Sequence, residues 1–118
     1  MINNFDKLRV LKQSHGLTLK IYQLTKSFPN EEKFRLSDQL CRSSSSVSAN
    51  IVEGNCRKTK KEFIQFLHQA KGSLSETQYH LLLAKDLKLI KTEIFNQLIT
   101  ESDEIGKMIS GLISYLNR

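Results

Sequence analysis

Apolar residues recur at three- and four-residue spacing through almost the whole chain, which contains a single proline, Pro29. This spacing places apolar side chains on one face of an α-helix, whereas a half-buried strand needs strict alternation. No stretch alternates convincingly, and a chain of 118 residues can bury one core without disulfides or metals. The sequence therefore predicts a single all-α domain over residues 1–118.

The first two predicted helices are separated by Pro29, which suits the first position of a new helix. Glu31 and Glu32 then lie near the positive end of that helix. The serine-rich segment 43–48 has the composition of a flexible linker, but the apolar spacing continues through it. We therefore predict helices over about residues 6–27 and 30–53, with small side chains in the second that let a neighbouring helix approach closely.

Capping signals define the second half of the chain. Gly54 supplies an end for the second helix, and Thr59 followed by Glu62 has the spacing of a capping box. Thr92 can cap a last helix. These signals predict helices over about residues 59–87 and 92–117. Because short connections force consecutive helices to run in opposite directions, the predicted fold is an antiparallel up-down-up-down four-helix bundle.

The first predicted helix carries more apolar surface than one bundle needs to bury. One face contains Leu8, Leu11, His15, Leu19 and Tyr22, and a second set broadens it: Leu17, Ile21, Leu24 and Phe28. Self-association would cover such a surplus.

Positive charge is concentrated in the first half of the chain. Residues 1–60 contain 11 Lys or Arg and 5 Asp or Glu, a formal charge of +6, whereas residues 61–118 contain 7 of each. This asymmetry favours an anionic partner such as RNA, DNA or an acidic protein. The alternative is a charge that serves solubility alone.

The most basic segment is the turn after the second helix, where four of five residues are basic: Arg57, Lys58, Lys60 and Lys61 around Thr59. It is a candidate phosphate-contacting tip at one end of the bundle. No aromatic residue is interleaved there, so base stacking has no support from this segment. The alternative interpretation is a solvated turn.

A polar stripe follows one side of the second helix within about 80° of arc. Its members are Gln39, Arg42, Ser46, Asn50 and Glu53, and Glu76 of the third helix is a candidate partner. An exposed stripe would be a hydrated surface. A stripe facing a neighbour would make contacts between helices or subunits, with Arg42 paired, because a buried unpaired charge is costly.

Features of catalysis, metal binding and membrane insertion are missing from the sequence. Cys41 and Cys56 lie 15 residues apart, about 22 Å along one helix, too far for a disulfide. The histidines are isolated and no HExxH occurs, so we expect no metal site and no cofactor. There is no apolar run of membrane-spanning length and no secretion signal, which favours the cytoplasm. Arg9 and His15 have a spacing seen in some helical ribonucleases, but at an unexpected position, so an enzyme is not the favoured interpretation.

Three motif-bearing segments identify a family resemblance. They are Phe28-Pro29-x-Glu31-Glu32-x-Phe34-x-Leu36-x-x-Gln39-Leu40-x-Arg42, then Asn50-Ile51-Val52-Glu53-Gly54-x-x-Arg57, then Glu62-Phe63-x-x-Phe66-Leu67-x-x-Ala70-x-Gly72-Ser73-Leu74-x-Glu76. In this order and spacing the chain resembles the bacterial 23S ribosomal RNA intervening-sequence proteins. It departs from their pattern at Cys41-Arg42-Ser43, where two arginines and an alanine are frequent, and it lacks their early tryptophan.

The resemblance implies an antiparallel four-helix bundle that assembles into a homopentameric barrel. It also implies a relation to the accessory protein of diversity-generating retroelements, a basic pentamer whose partners are nucleic acid and a reverse transcriptase. No enzymatic activity is established for the family.

The sequence and the resemblance together predict a non-catalytic, homo-oligomeric adapter that binds nucleic acid, with RNA favoured over DNA. Arg57, Lys58, Lys60 and Lys61 would contact the nucleic acid. Gln39, Arg42, Asn50, Glu53 and Glu76 would form the contacts between helices or subunits. The alternatives are a protein-interaction scaffold, such as a reverse-transcriptase accessory factor, and a helical ribonuclease.

Overall fold

The computed structural model describes residues 8–118, which form four α-helices and no strand. Helix α1 spans Arg9–Thr25, α2 spans Leu36–Asn55, α3 spans Lys60–Asp86 and α4 spans Thr92–Leu116. A single 3-10 turn, Asn30–Glu32, precedes α2. The molecule measures 45 × 24 × 21 Å. The prediction of an all-helical chain with four helices is confirmed.

Helix α2 begins six residues later than predicted. Pro29 does precede a helical turn, but this turn closes as a 3-10 helix. Arg35 then adopts φ −117° and ψ −106°, outside the helical region, and this separates the 3-10 turn from α2. The predicted start of the first helix at Asp6 lies outside the described residues, and α1 ends at Thr25, two residues earlier than predicted.

One of the three predicted capping residues behaves as expected. The Thr59 hydroxyl accepts a hydrogen bond from the Glu62 backbone N–H at 3.1 Å and donates to the Glu62 carboxylate at 3.0 Å. The prediction that Thr92 caps α4 is wrong, because Thr92 is the first helical residue and Lys91 precedes it. Gly54 does not end α2 either, since the helix continues to Asn55.

Gly54 is explained by the close approach of α2 and α3. A Cβ atom at this position would lie 2.7 Å from the Cβ of Phe66 and 2.9 Å from Cδ1 of Phe63. Both distances are shorter than real Cβ contacts, so a side chain at this position would force Phe63 or Phe66 to shift. Phe63 is fully buried against this point, which makes the glycine part of the core packing.

Most of the apolar residues at helical spacing in α2, α3 and α4 lie in the core. In α2 the buried apolar residues are Leu36, Leu40, Val47 and Ile51. In α1 the buried face consists mainly of the second of the two predicted sets of apolar residues. Leu17 and Ile21 are buried, whereas Leu19 is 57% exposed and Tyr22 is 48% exposed. The apolar surplus predicted for α1 therefore lies on the surface of the chain.

Buried hydroxyl groups join α2 to both of its neighbours. The Ser14 and Ser48 hydroxyl oxygens are 2.7 Å apart, and Thr18 donates to the Ser44 carbonyl at 3.1 Å. On the other side Thr77 donates to the Ser43 hydroxyl at 2.9 Å. The serine-rich segment is therefore helical and closely packed, as predicted.

We expect Gly54→Ala to lower the free energy of unfolding by about 1–3 kcal/mol, because the added methyl group must displace Phe63 or Phe66. Urea denaturation followed by circular dichroism measures this. Gly72→Ala in α3 is the matched control: nothing lies within 4 Å of its Cβ position, so a gain of about 0.5–1 kcal/mol is expected. Equal effects of the two substitutions would contradict the close-approach explanation.

Candidate nucleic-acid interface

The end of the molecule where α2 stops and α3 begins is called the basic end here, and it includes the turn 56–59. The start of α1 lies at this end, because Ser14 meets Ser48 whereas Thr18 meets the earlier residue Ser44. The last residues of α4 lie there too, since Leu116 lines a cleft together with the first residues of α3. Three separated stretches of sequence therefore meet at the basic end.

The basic end carries nearly all the excess charge. Among the described residues, seven basic side chains lie in its helix ends and turn: Arg9, Lys12, Arg57, Lys58, Lys60, Lys61 and Arg118. Two acidic side chains, Glu53 and Glu62, lie there with them. Seven minus two gives a side-chain charge of +5, out of +6 for the described residues 8–118, which contain 17 Lys or Arg and 11 Asp or Glu. All seven basic residues are exposed, so the charge is available to a partner.

Arg57 differs from the neighbouring lysines because its guanidinium already has two partners. Its Nη2 lies 2.7 Å from Oε1 of Glu53, one turn earlier in α2. The guanidinium carbon also lies 4.8 Å from the centre of the Phe66 ring in α3. Arg57 therefore ties the turn to both helices, while Lys58, Lys60 and Lys61 extend into solvent.

The predicted polar stripe of α2 is exposed or half-buried, and the contacts that its members make lie within α2 or reach the turn after it. Arg42 lies 3.9 Å from Asp38, and Asn50 donates to the Ser46 carbonyl at 2.8 Å. Glu53 pairs with Arg57 as described, and Gln39 is exposed. These residues therefore leave the outer surface of α2 polar along its length.

Glu76, the predicted partner of the stripe, makes its contact within α3. Its Oε1 lies 3.5 Å from Nε2 of His80, one turn later in the same helix. The structure therefore does not join Glu76 to Arg42 or Asn50 across the α2–α3 boundary, and a contact between subunits stays a prediction.

Residues considered for other chemistry are dispersed. Arg9 and His15 are both exposed on α1, and six residues set them about 120° apart around the helix. Cys41 is half-buried and Cys56 is exposed, and both are free thiols. Within residues 8–118 no three His, Cys, Asp or Glu side chains form a possible metal site. In the same range no helix has the length and apolarity needed to cross a membrane.

Sequence reasoning missed the contributions of α1 and α4 to the basic end. Arg9, Lys12 and Arg118 lie far from the turn in sequence, and the fold brings them to the same end of the molecule. A signal was available: in a bundle of four alternating helices, the start of the first and the end of the last meet the turn between the second and third.

The fold and this end together define a class: an all-α protein of four helices with an exposed cationic end. The profile of the family described as 23S rRNA-intervening sequence protein matches residues 6–111 of the chain. The chain therefore belongs to this family, and the resemblance inferred from the motifs between Phe28 and Glu76 is confirmed.

A solved structure from Bacteroides thetaiotaomicron VPI-5482 has a similar fold, with a TM-score of 0.83 and 32% sequence identity. The similarity covers 89% of this chain and 95% of that chain. That protein is described as one of unknown function from the S23 ribosomal protein family. A comparison with curated proteins finds no match.

We expect Arg57→Ala to lower the free energy of unfolding by about 1 kcal/mol, through loss of the Phe66 contact and the Glu53 pair. Lys58→Ala is the control: it removes the same charge from an exposed side chain one residue away and should change stability by less than about 0.5 kcal/mol. Urea denaturation of both variants measures the two changes in the free energy of unfolding. Equal stabilities would mean that Arg57 does not fix the turn.

Proposed function

We propose that this protein is a non-catalytic, homo-oligomeric adapter that binds RNA through its basic end. The observation that carries this proposal is the +5 side-chain charge at one end of a chain whose formal charge is +6. Phosphate contacts by Lys and Arg supply most of the affinity of a protein for a nucleic acid backbone. Membership of the 23S rRNA-intervening sequence protein family favours RNA over another polyanion.

The proposed arrangement of the helices is up-down-up-down. Contacts between α3 and α4 support it in the same way as those between α1 and α2. The Gln78 side chain in α3 donates a hydrogen bond to the Ser102 hydroxyl in α4, and Gly106 of α4 lies against Leu74 of α3. In this arrangement two helices start and two helices end at the basic end, so the dipoles of the four helices largely offset one another. The field at the basic end then comes from side chains.

Lys58 of the turn and Lys60 and Lys61 at the start of α3 are the proposed phosphate ligands, and Arg57 holds the turn in place. The turn is short and fixed at both sides, by the Glu53–Arg57 pair and by the Thr59 cap. A rigid turn loses little conformational freedom when it binds, which favours affinity. Arg9 and Lys12 extend the same positive surface along α1.

We expect a variant carrying Lys58→Glu, Lys60→Glu and Lys61→Glu to bind single-stranded RNA at least about tenfold more weakly than the wild type. The slope of log affinity against log salt concentration should also fall by roughly 0.7 for each lost phosphate contact. Fluorescence anisotropy with a labelled RNA, titrated at about 50 mM and about 200 mM salt, measures both quantities.

The matched control reverses three lysines at the opposite end: Lys33→Glu, Lys88→Glu and Lys91→Glu. Net charge changes by the same amount, so this variant should retain most of the affinity. Equal losses in the two variants would place the binding surface elsewhere. No binding by the wild type at low salt would refute RNA binding, and DNA of the same sequence tests the preference for RNA.

Self-association is the second part of the proposal, with a pentamer as the expected assembly. Several large apolar side chains are exposed, and Phe34 is the extreme case at 85%. Leu19 and Leu87 are each more than half exposed. A second copy of the chain is the proposed cover for this surface, because oligomers of soluble proteins are usually built from identical chains.

The exposed apolar side chains also favour a second candidate function, a protein-interaction scaffold such as a reverse-transcriptase accessory factor. In that case a different protein would occupy the same surface. Weak RNA binding by the wild type, together with a stable complex with a reverse transcriptase encoded beside it, would favour the scaffold over the adapter.

We expect light scattering of the wild type to give a mass several times the 13.6 kDa of one chain. Phe34→Ser should lower this mass, because it removes an aromatic side chain from the proposed contact. The same variant should keep its helical circular dichroism and its stability, since Phe34 packs little within the chain. A wild type with the mass of a single chain would contradict the assembly.

A further inference from the structure

A cleft opens at the basic end between the first turns of α3 and the last residues of α4. Its volume is about 400 Å³, within the range of pockets that hold small ligands. Its lining includes one group of charged, amide and apolar side chains: Lys60, Lys61, Ile64, Gln65, Leu116 and Asn117. The lining therefore combines an apolar surface with several different polar groups.

The apolar part of the cleft is formed by two aliphatic side chains. Ile64 is half-buried and supplies most of the accessible apolar surface, while Leu116 is 5% exposed and forms the buried base of the cleft. A flat ligand with apolar faces can lie against them with little reorganisation. The amide side chains of Gln65 and Asn117 are exposed, and each offers both hydrogen-bond donors and an acceptor.

Two lysines complete the lining. Lys60 and Lys61 begin α3, and both are exposed. Their ammonium groups are point charges suited to phosphate. His68 lies further along the cleft and adds a flat, polar ring. A nucleotide presents these same three chemical features: an apolar base face, a polar base edge and a charged phosphate.

We propose that this cleft receives one unpaired nucleotide of a single-stranded nucleic acid. The base lies against Ile64 and Leu116, its edge bonds the amides of Gln65 and Asn117, and the flanking phosphates pair with Lys60 and Lys61. This inference rests on the proposed function, because it assigns a ligand to the same end of the molecule. It goes further by selecting single strands over duplexes.

A paired base does not fit this cleft. In a duplex both faces of a base are stacked and its pairing edge is occupied, so only an unstacked nucleotide can present them to a protein. A duplex would reach the exposed lysines through its phosphates alone. The cleft therefore predicts a preference that charge alone does not give.

The basic end also has an exposed aromatic side chain outside the cleft. Tyr115, in the last turn of α4, is 61% exposed, and the Arg118 guanidinium carbon lies 5.9 Å from its ring centre. Proteins that bind single strands combine a cationic surface with aromatic rings on which bases stack. The basic segment 57–61 has no aromatic residue, but the fold supplies one at the same end from α4.

The test compares a single-stranded RNA of about 20 nucleotides with its duplex, using fluorescence anisotropy and the full chain. We expect the wild type to favour the single strand by about tenfold, the effect of one well-placed base. Gln65→Ala combined with Asn117→Ala should remove most of that preference. The salt dependence of this variant should stay as in the wild type, because all lysines remain.

The matched control is Gln23→Ala combined with Asn96→Ala, which removes two exposed amides outside the basic end and should bind as the wild type does. A second readout is the fluorescence of 2-aminopurine within the single strand. It should rise when the base leaves its stacked neighbours, and it should rise less with the Gln65 and Asn117 variant. Measuring a single-stranded DNA of the same sequence shows whether the cleft prefers a nucleotide of RNA or of DNA.

Failure of the cleft and failure of the proposed function give different results. Equal affinity for single strand and duplex, or a Gln65 and Asn117 variant that binds as the wild type does, would overturn the cleft assignment while RNA binding stands. No binding of either RNA by the wild type would overturn both.

Discussion

The close approach of α2 and α3 at Gly54 is the constraint on which the basic end depends. With no side chain at this position, Phe63 and Phe66 pack directly on α2, and the two helices meet immediately before the turn that joins them. The turn is then short enough for Arg57 to reach back to Glu53 and across to Phe66. The lysines that follow are therefore presented from a fixed base, and a core contact determines where the surface charge lies.

Buried hydroxyl groups extend this close packing along α2. Serines at positions 43, 44 and 48 are small enough for α1 and α3 to approach α2 closely. Each hydrogen bond between α2 and one of these helices also gives a polar group inside the chain a partner. Because a buried hydroxyl without a partner costs free energy, a shift of one helix along another is penalised. The hydroxyl groups therefore favour a single alignment of the helices, which keeps the ends of α1, α3 and α4 together.

The sequence predicted the helices better than it predicted the site. Local signals act within a few residues, so the Thr59–Glu62 cap and the helix through the serine-rich segment 43–48 were predicted correctly. Gly54 was misread because a glycine that ends a helix and a glycine that admits a neighbour look the same in sequence. The sequence predicted an apolar surplus on α1, but it did not show that Leu19 and Tyr22 belong to the exposed part, because only tertiary packing selects the buried face. The cleft could not be predicted, since Gln65 and Asn117 line the same cleft only after α3 and α4 have packed.

A chain 45 Å long with nearly all of its excess charge at one end is an electric dipole. At physiological ionic strength the Debye length is about 8 Å, so a polyanion at the basic end is screened from charges at the far end. The field would therefore rotate the molecule during diffusional encounter, before any contact forms, and a larger share of collisions would begin in the productive orientation. In a ring of such chains with their basic ends on one side, the individual dipoles would add, and the assembly would meet a nucleic acid with one face.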